Sequence, residues 1–479
     1  MNLIDPFLAA AQRHPERIAL IAGQQSIRYR ELAEQSGALA ARLREKGLVA
    51  GEIALPVLGI GIPLYVTLLA FFRLGIAALV PEPATGLRGL RSAARTLPVR
   101  ALVGDWRRIL LHCLLPELWR AETVSSAARA GESDIRCELP PETPALITFT
   151  SGSTGRPKGI VRSQGFLIEQ HKQVSAALHP EDGDIDLISL PVFILSNLAC
   201  GVTSVIPDGD LRRPAAVDPA PLLRQIERHG VKRLLLPPAL CARLAETGAC
   251  LPAITQIFTG GGPVFPDLMQ RLAKLAPQAR ITAVYGSSEA EPIAHIALDA
   301  MTDADFAGMA EGRGLLAGMP VDGVRLRIED DEIWVTGPHV VKGYLDSADN
   351  AATKCEIDGE VWHRTGDAGR LDEVGRLWLL GRREARYGDL FPFAVETAAR
   401  SLEGVRAAAL VVCGASPVLV VEREPSAPAI PEEWARRWHA SLRLIELAQI
   451  PMDRRHNSKV DYGRLRQMLA ARGVDSPRT

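Results

Sequence analysis

Thr150, Ser151, Gly152, Ser153, Thr154 and Gly155 form an unbroken run of small hydroxyl residues and glycines, closed by Arg156, Pro157, Lys158 and Gly159. Such a run can wrap a polyphosphate. Glycine lets the backbone come close, exposed amides and hydroxyls donate to anionic oxygens, and Arg156 and Lys158 supply positive charge. The apolar, β-branched stretch 145–149 in front of it reads as a buried strand. No Gly-Lys-Ser/Thr step closes the loop, so it is not a Walker A loop, and the G-x-S-x-G spacing of a hydrolase nucleophile elbow is missing. A flexible surface turn is the competing reading; thirteen residues so constrained in type, 147–159, weigh against it.

Further stretches carry reactive groups. After an apolar strand come Gly260, Gly261 and Gly262, which would let a flat ring approach the backbone, although a tight turn explains them equally well. In 284–289, Tyr285 can stack on a base, Ser287 and Ser288 can meet a phosphate, and the Glu289 carboxylate can hold Mg²⁺. Asp367 follows a turn at Thr365-Gly366, and its two oxygens suit two vicinal hydroxyls. His363, four residues earlier, can be read as a general base or as structural. Arg382, Arg383 and Glu384 follow Gly381, and Lys459 stands just before an expected helix over 461–471.

In this order, these segments resemble the signature of the acyl-adenylate-forming superfamily: acyl-CoA synthetases, peptide-synthetase adenylation domains and luciferases. The resemblance covers nearly the whole chain and is weakest over 101–140. It implies that ATP binds through Thr150–Gly155, Lys158, Gly260–Gly262, Tyr285, Gly286 and Ser287. Asp367 and Arg382 would hold the ribose, and Glu289 would hold the magnesium. Lys459, with Glu289 and Ser288, would be catalytic, bridging the substrate carboxylate and the α-phosphate. Arg383 and Glu384 would mark a hinge, after which the Tyr387–Asp389 loop swings in for a second half-reaction. The chain departs from the family pattern at Ser288 (usually Thr), Glu384 (often Asp or Lys) and Ser458 (usually Gly). His363 is expected to be structural, because the family does not reserve that position for histidine.

The resemblance also bears on the substrate. An aromatic–His pair that gates the acyl pocket in many thioester-forming relatives reads Phe193-Ile194 here, so the pocket should favour an apolar acid. No charged partner for an amino-acid ammonium is evident, which makes amino-acid or aryl-acid activation the alternative reading. The 201–208 run, the 81–90 segment and Arg455-His456-Asn457-Ser458-Lys459 look most like the β-lactone synthetases of bacterial olefin biosynthesis, in which an internal hydroxyl displaces AMP. This chain is shorter than expected for that branch. Transfer to CoA, or to the phosphopantetheine arm of a carrier protein, is the other acceptor.

The elements that must position these groups follow a β–α rhythm. Strands are expected at 18–22, 53–57, 76–80, 101–103, 186–190 and 233–236, with helices at 29–46, 64–74, 86–97, 165–178 and 219–229, and paired strands at 325–329 and 332–336. The expected fold is α/β: stacked, largely parallel βα subdomains plus a small β region. The resemblance places a domain boundary at 381/382, with 1–381 binding the nucleotide and a small, mobile α+β domain over 382–479 carrying Lys459. A length of 479 residues likewise asks for two or more domains. Apolar content of 47% and charged content of 23% are ordinary for a soluble chain. The net charge of −1 gives no electrostatic reason to expect nucleic acid or an anionic membrane. Seven scattered cysteines without a C-x-x-C fit a reducing compartment, and no signal peptide is evident, so a cytoplasmic monomer or homodimer is expected. The charge-free run 53–72 is long enough to span a bilayer, but Pro56, Gly59, Gly61 and Pro63 break it, and a strand, a loop and a core helix explain it better.

Overall fold

The computed structural model describes residues 2–81, 86–127, 134–150, 158–414, 416–453 and 459–474. Among these, three sheets organise the chain: one of fourteen strands, one of six and one of three. In the large sheet, the strands Ile18–Ala22, Thr203–Ile206, Ile185–Ile188, Arg233–Leu236, Gln256–Gly260 and Arg280–Ser287 lie side by side and parallel. From Ala290–Ala297 onward the sheet turns antiparallel and runs into the expected small β region, where Arg325–Glu329 pairs with Glu332–Thr336. The six-stranded sheet is parallel except for its last pair, Pro144–Thr150 with Lys158–Ser163.

The two larger sheets share one core. Ala54, Ala78, Ala101 and Ala145 from the six-stranded sheet face Leu20, Ile188, Ile206 and Leu235 from the other, with the helix Ile62–Leu74 between them. Small alanines on one side leave room for Phe71 and Phe72 of that helix, and both are fully buried. The helix is apolar nearly all round because sheets cover both its flanks. This accounts for the charge-free run 53–72 as the strand Ile53–Val57, a loop and this helix. No helix among the described residues is long and apolar enough to cross a membrane.

The expected helices and strands are present, most with ends shifted by one or two residues. Several helices were not foreseen, among them Pro191–Cys200 and Arg107–Leu114. The first begins at a proline, which suits a first helical turn, but its run of Val192, Phe193, Ile194 and Leu195 has no amphipathic period to announce it. Beyond Val405, the strands Val405–Cys413, Ser416–Arg423 and Arg443–Glu446 form the small sheet, flanked by the helices Pro392–Arg400 and Tyr462–Ala471. Glu396 ties these helices together, accepting from the Leu410 amide at 2.8 Å and from Tyr462 Oη at 3.2 Å.

Candidate active site

Ser151, Gly152, Ser153, Thr154 and Gly155 lie outside the described residues. Their two flanking strands are described, and Thr150 pairs with Lys158 across the hairpin. The hairpin is stitched to the large sheet. Ile160 bridges Tyr344, the Leu345 amide donates to the Gly159 carbonyl at 2.8 Å, and Arg162 Nη2 donates to the Ser288 carbonyl at 2.7 Å.

That stitching brings five side chains into one cluster. Glu289 sits in the turn between Arg280–Ser287 and Ala290–Ala297, and its Oε1 accepts from Tyr344 Oη at 2.8 Å. Lys158 Nζ lies 5.2 Å from the centre of the Tyr344 ring and Lys354 Nζ 5.3 Å from it. Lys354 also donates to the Val341 carbonyl. Buried His363 completes the group, with Nδ1 3.2 Å from the Thr353 carbonyl. Burial, and Lys354 beside it, push His363 below the ordinary histidine value, to about 4, with Glu289 opposing. Burial alone would raise Glu289, but its charged neighbourhood and the hydrogen bond from Tyr344 outweigh that and hold it below the usual carboxylate range. Burial pushes Lys354 down to about 8, with Lys158 acting the same way and Glu289 opposing.

A second group lies along the same sheet. Tyr285 Oη donates to Asp367 Oδ2 at 2.8 Å, and Arg382 Nε lies 3.3 Å from Asp367 Oδ1. Arg382 Nη1 also donates to the Thr365 carbonyl at 2.9 Å. The turn that aims Asp367 needs its glycine: Gly366 has φ +73°, and a Cβ there would sit 3.2 Å from Arg382 Nη1. Gly260 ends the strand Gln256–Gly260 so close to its neighbour that a Cβ would meet the Val284 carbonyl oxygen at 2.6 Å. Gly261 and Gly262 follow in the turn, and Gly286 and Ser287 end the adjacent strand, where Ser287 Oγ accepts from the Glu289 amide at 3.3 Å. The glycines, Tyr285, Asp367 and Arg382 thus rim one edge. Arg383 leans toward Glu332 at 3.5 Å, and Glu384 is exposed in the short turn Arg383–Ala385.

Lys459 is placed differently. It is exposed, Asp453 Oδ1 accepts its amide at 3.1 Å and the Asp453 amide donates to its carbonyl at 2.7 Å, just ahead of the helix Tyr462–Ala471.

Between the helix Gln164–Leu178 and the strands Gln256–Gly260 and Arg280–Ser287 lies a narrow cavity of about 30 Å³. Phe193 lines it, with Leu178, Leu190 and Phe258. Ile194 does not. One step round the helix from Phe193, it is turned into the core and 1% exposed, so it cannot gate the cavity as expected. No charged partner for an ammonium was evident in the sequence, yet the cavity wall holds a carboxyl. Glu291 is among the lining residues, and burial pushes its carboxyl up to about 7 against the pull of Arg162. Sequence reading missed Glu291, Tyr344 and Lys354. A lone acid inside the apolar strand Ala290–Ala297 was a legible signal for Glu291. Nothing comparable marked the other two, which meet Glu289 only through tertiary pairing.

Residues 7–345 match the family model described as AMP-binding enzyme. The chain is 31% identical to an olefin beta-lactone synthetase of Stenotrophomonas maltophilia (strain K279a), over 91% of this chain and 90% of that protein. It is 29% identical to the phenyloxazoline synthase MbtB of Mycolicibacterium paratuberculosis, over 92% of this chain but only 39% of that one. In structure it resembles the O-succinylbenzoate coenzyme A synthetase (MenE) of Bacillus subtilis in complex with AMP, with a TM-score of 0.75 at 23% identity, covering 96% of this chain and 97% of the other. The match over 7–345 contains the Tyr285–Glu289 turn, the phosphate-loop hairpin and Tyr344, and the fold around them is the two-domain fold of adenylating enzymes. The chain belongs to the AMP-binding enzyme family and is an acyl-adenylate-forming ligase.

Proposed function

We propose that the chain adenylates a 3-hydroxy fatty acid and then closes the acyl adenylate on its own hydroxyl to a β-lactone. The observation that carries this reading is the cavity. Its lining is apolar apart from Thr259 and a single carboxyl, Glu291, the surface that an aliphatic chain bearing one polar group would meet once this narrow cavity widens to admit it. The similarity to olefin beta-lactone synthetases along nine-tenths of both chains supports the same choice.

In the first half-reaction, a carboxylate oxygen attacks the α-phosphorus of ATP and the bond to the β-phosphate oxygen breaks. Both partners are anions, so positioning and charge neutralisation dominate. Lys158 and Lys354 flank Tyr344 with Glu289 as the nearby carboxylate, leaving positive charge there that suits a pyrophosphate group. Asp367, oriented by Tyr285 and Arg382, would accept from the ribose hydroxyls. Glu289 fits Mg²⁺, which takes one or two carboxylates and leaves its other positions to water and phosphate. Tyr344 fixes one carboxylate oxygen, and the surrounding charge keeps the group ionised. When bound, the ion would neutralise charge on the leaving pyrophosphate. We place a mobile domain at 382–479, which would carry Lys459 in for this step and away for the next. In the second half-reaction the 3-hydroxyl oxygen bonds to the acyl carbon, the hydroxyl proton is lost and AMP leaves.

Lys354→Met is expected to raise the KM for ATP roughly tenfold or more, the size of one charge-assisted hydrogen bond, with the KM for the acid unchanged. Steady-state pyrophosphate release measures both constants, and an unchanged KM for ATP would remove Lys354 from the phosphate site. The overall reading is tested by supplying ATP with a 3-hydroxy fatty acid, or with its unsubstituted counterpart, with and without CoA or a phosphopantetheine thiol. AMP release from the hydroxy acid alone, without thiol, is the expected result. AMP release strictly dependent on thiol would exclude lactone formation and leave thioester synthesis.

A further inference from the structure

Among the described residues, twelve large hydrophobic side chains are exposed, and six of them fall between residues 87 and 119. The helix Arg107–Leu114, which links two strands at the edge of the six-stranded sheet, buries none of its residues. Trp106, Ile109, Leu110 and Leu114 form its outward stripe at helical spacing, from 47% to 68% exposed. The side facing the protein carries Arg108, which donates to the Gly104 carbonyl at 3.0 Å, and His112, whose Nδ1 is buried without a hydrogen-bond partner. Leu111 packs inward against the apolar core, but Ile109, Leu110 and Leu114 face water, which an ordinary surface helix avoids. Trp119, 61% exposed, joins the stripe by donating to the Cys113 carbonyl at 3.4 Å.

The surroundings are basic. Residues 86–120 hold seven arginines against only Asp105 and Glu117. Glu117 accepts from both Arg91 and Arg95 at 2.8 Å, which fastens the basic helix Gly86–Thr96 to the same surface. Arg88 and Arg120 are exposed and have no ion-pair partner among the described residues. The chain's total of −1 conceals this concentration. Arginines around an aromatic and aliphatic stripe match the boundary of an anionic bilayer, where tryptophan rings sit among headgroups and guanidinium groups reach the phosphates. A second copy fits worse, because its seven arginines would face these seven.

We propose that this surface docks the enzyme on an anionic lipid membrane, with the helix Arg107–Leu114 lying in the plane of the interface. The test is co-sedimentation of the full chain with phosphatidylcholine vesicles, with and without phosphatidylglycerol, at low and high salt. Binding to the anionic vesicles should exceed that to neutral ones at least about tenfold and weaken with salt. Ile109→Asp with Leu114→Asp should abolish it while leaving pyrophosphate release on a soluble acid unchanged. Equal binding to neutral vesicles, no binding to either kind, or binding that survives the double substitution would overturn the proposal. So would a dimer in light scattering that the double substitution dissolves, since the face would then belong to a second copy.

Discussion

Lys459→Ala is expected to slow pyrophosphate release about 10²- to 10³-fold, the usual cost of removing one preorganised group aimed at developing charge. Conversion of pre-formed acyl adenylate should survive, because the α-phosphate charge is dealt with before that step begins. The split separates catalysis from folding. Lys459 is exposed, and the two bonds described for it, its amide to Asp453 Oδ1 and the Asp453 amide to its carbonyl, involve its backbone, which truncating the side chain leaves in place. Lys459→Arg should retain part of the rate. Pyrophosphate release equal to the parent's in Lys459→Ala would strike the residue from the mechanism.

The largest expected effect on stability lies at Arg233→Met, at about 3–5 kcal/mol. Arg233 is 1% exposed and holds Asp186 through two bonds, Nε to Oδ1 at 2.8 Å and Nη2 to Oδ2 at 3.0 Å. It also donates to the Leu178 carbonyl at 3.1 Å, and its guanidinium lies 5.7 Å from the centre of the Phe258 ring. Burial pushes the Asp186 carboxyl up to about 6 against the pull of Arg233, so at neutral pH it stays charged while the pair is intact. Methionine would leave that carboxylate buried with only Asn197 as a donor from a side chain, at 2.8 Å. Adding Asp186→Leu should recover much of the loss, because removing both partners of a buried pair costs far less than removing one. Chemical denaturation of the two variants measures this. A single variant within 1 kcal/mol of the parent would show that the pair carries little. Leu178 and Phe258 both line the cavity that we propose for the acid, and acid binding is expected to weaken alongside stability.

The sequence made the site's motifs and the β–α framework legible because each depends on local chemistry. Glycines, hydroxyls and a carboxylate at fixed spacing announce Gly260, Ser287 and Glu289 without reference to the rest of the chain. The strand Ile53–Val57 and the helix Pro219–His229 follow from hydrophobic period and end signals, here Asp218 as the cap. What stayed hidden depends on distance or direction. Tyr344 and Lys354 reach Glu289 across 55 and 65 positions of sequence, through strand pairing that no local pattern encodes. Ile194 and Phe193 look interchangeable in sequence, yet helical phase sends one into the core and the other into the cavity. The stripe of Trp106, Ile109 and Leu110 reads in sequence like any core-facing helix, and only the fold shows that it faces outward.

The hairpin of Pro144–Thr150 and Lys158–Ser163 is fixed to the large sheet through Ile160, Gly159 and Arg162. The phosphate side is therefore a keystone between two sheets and belongs wholly to neither. The two sheets also share one core, so a slip of one past the other by a residue would disturb packing and site together. Lys158, Glu289 and Tyr344 could not remain together after such a slip, because a single residue reverses the face that a strand presents. The cluster of Lys158, Glu289 and Tyr344 thus acts as a gauge of alignment between the two sheets.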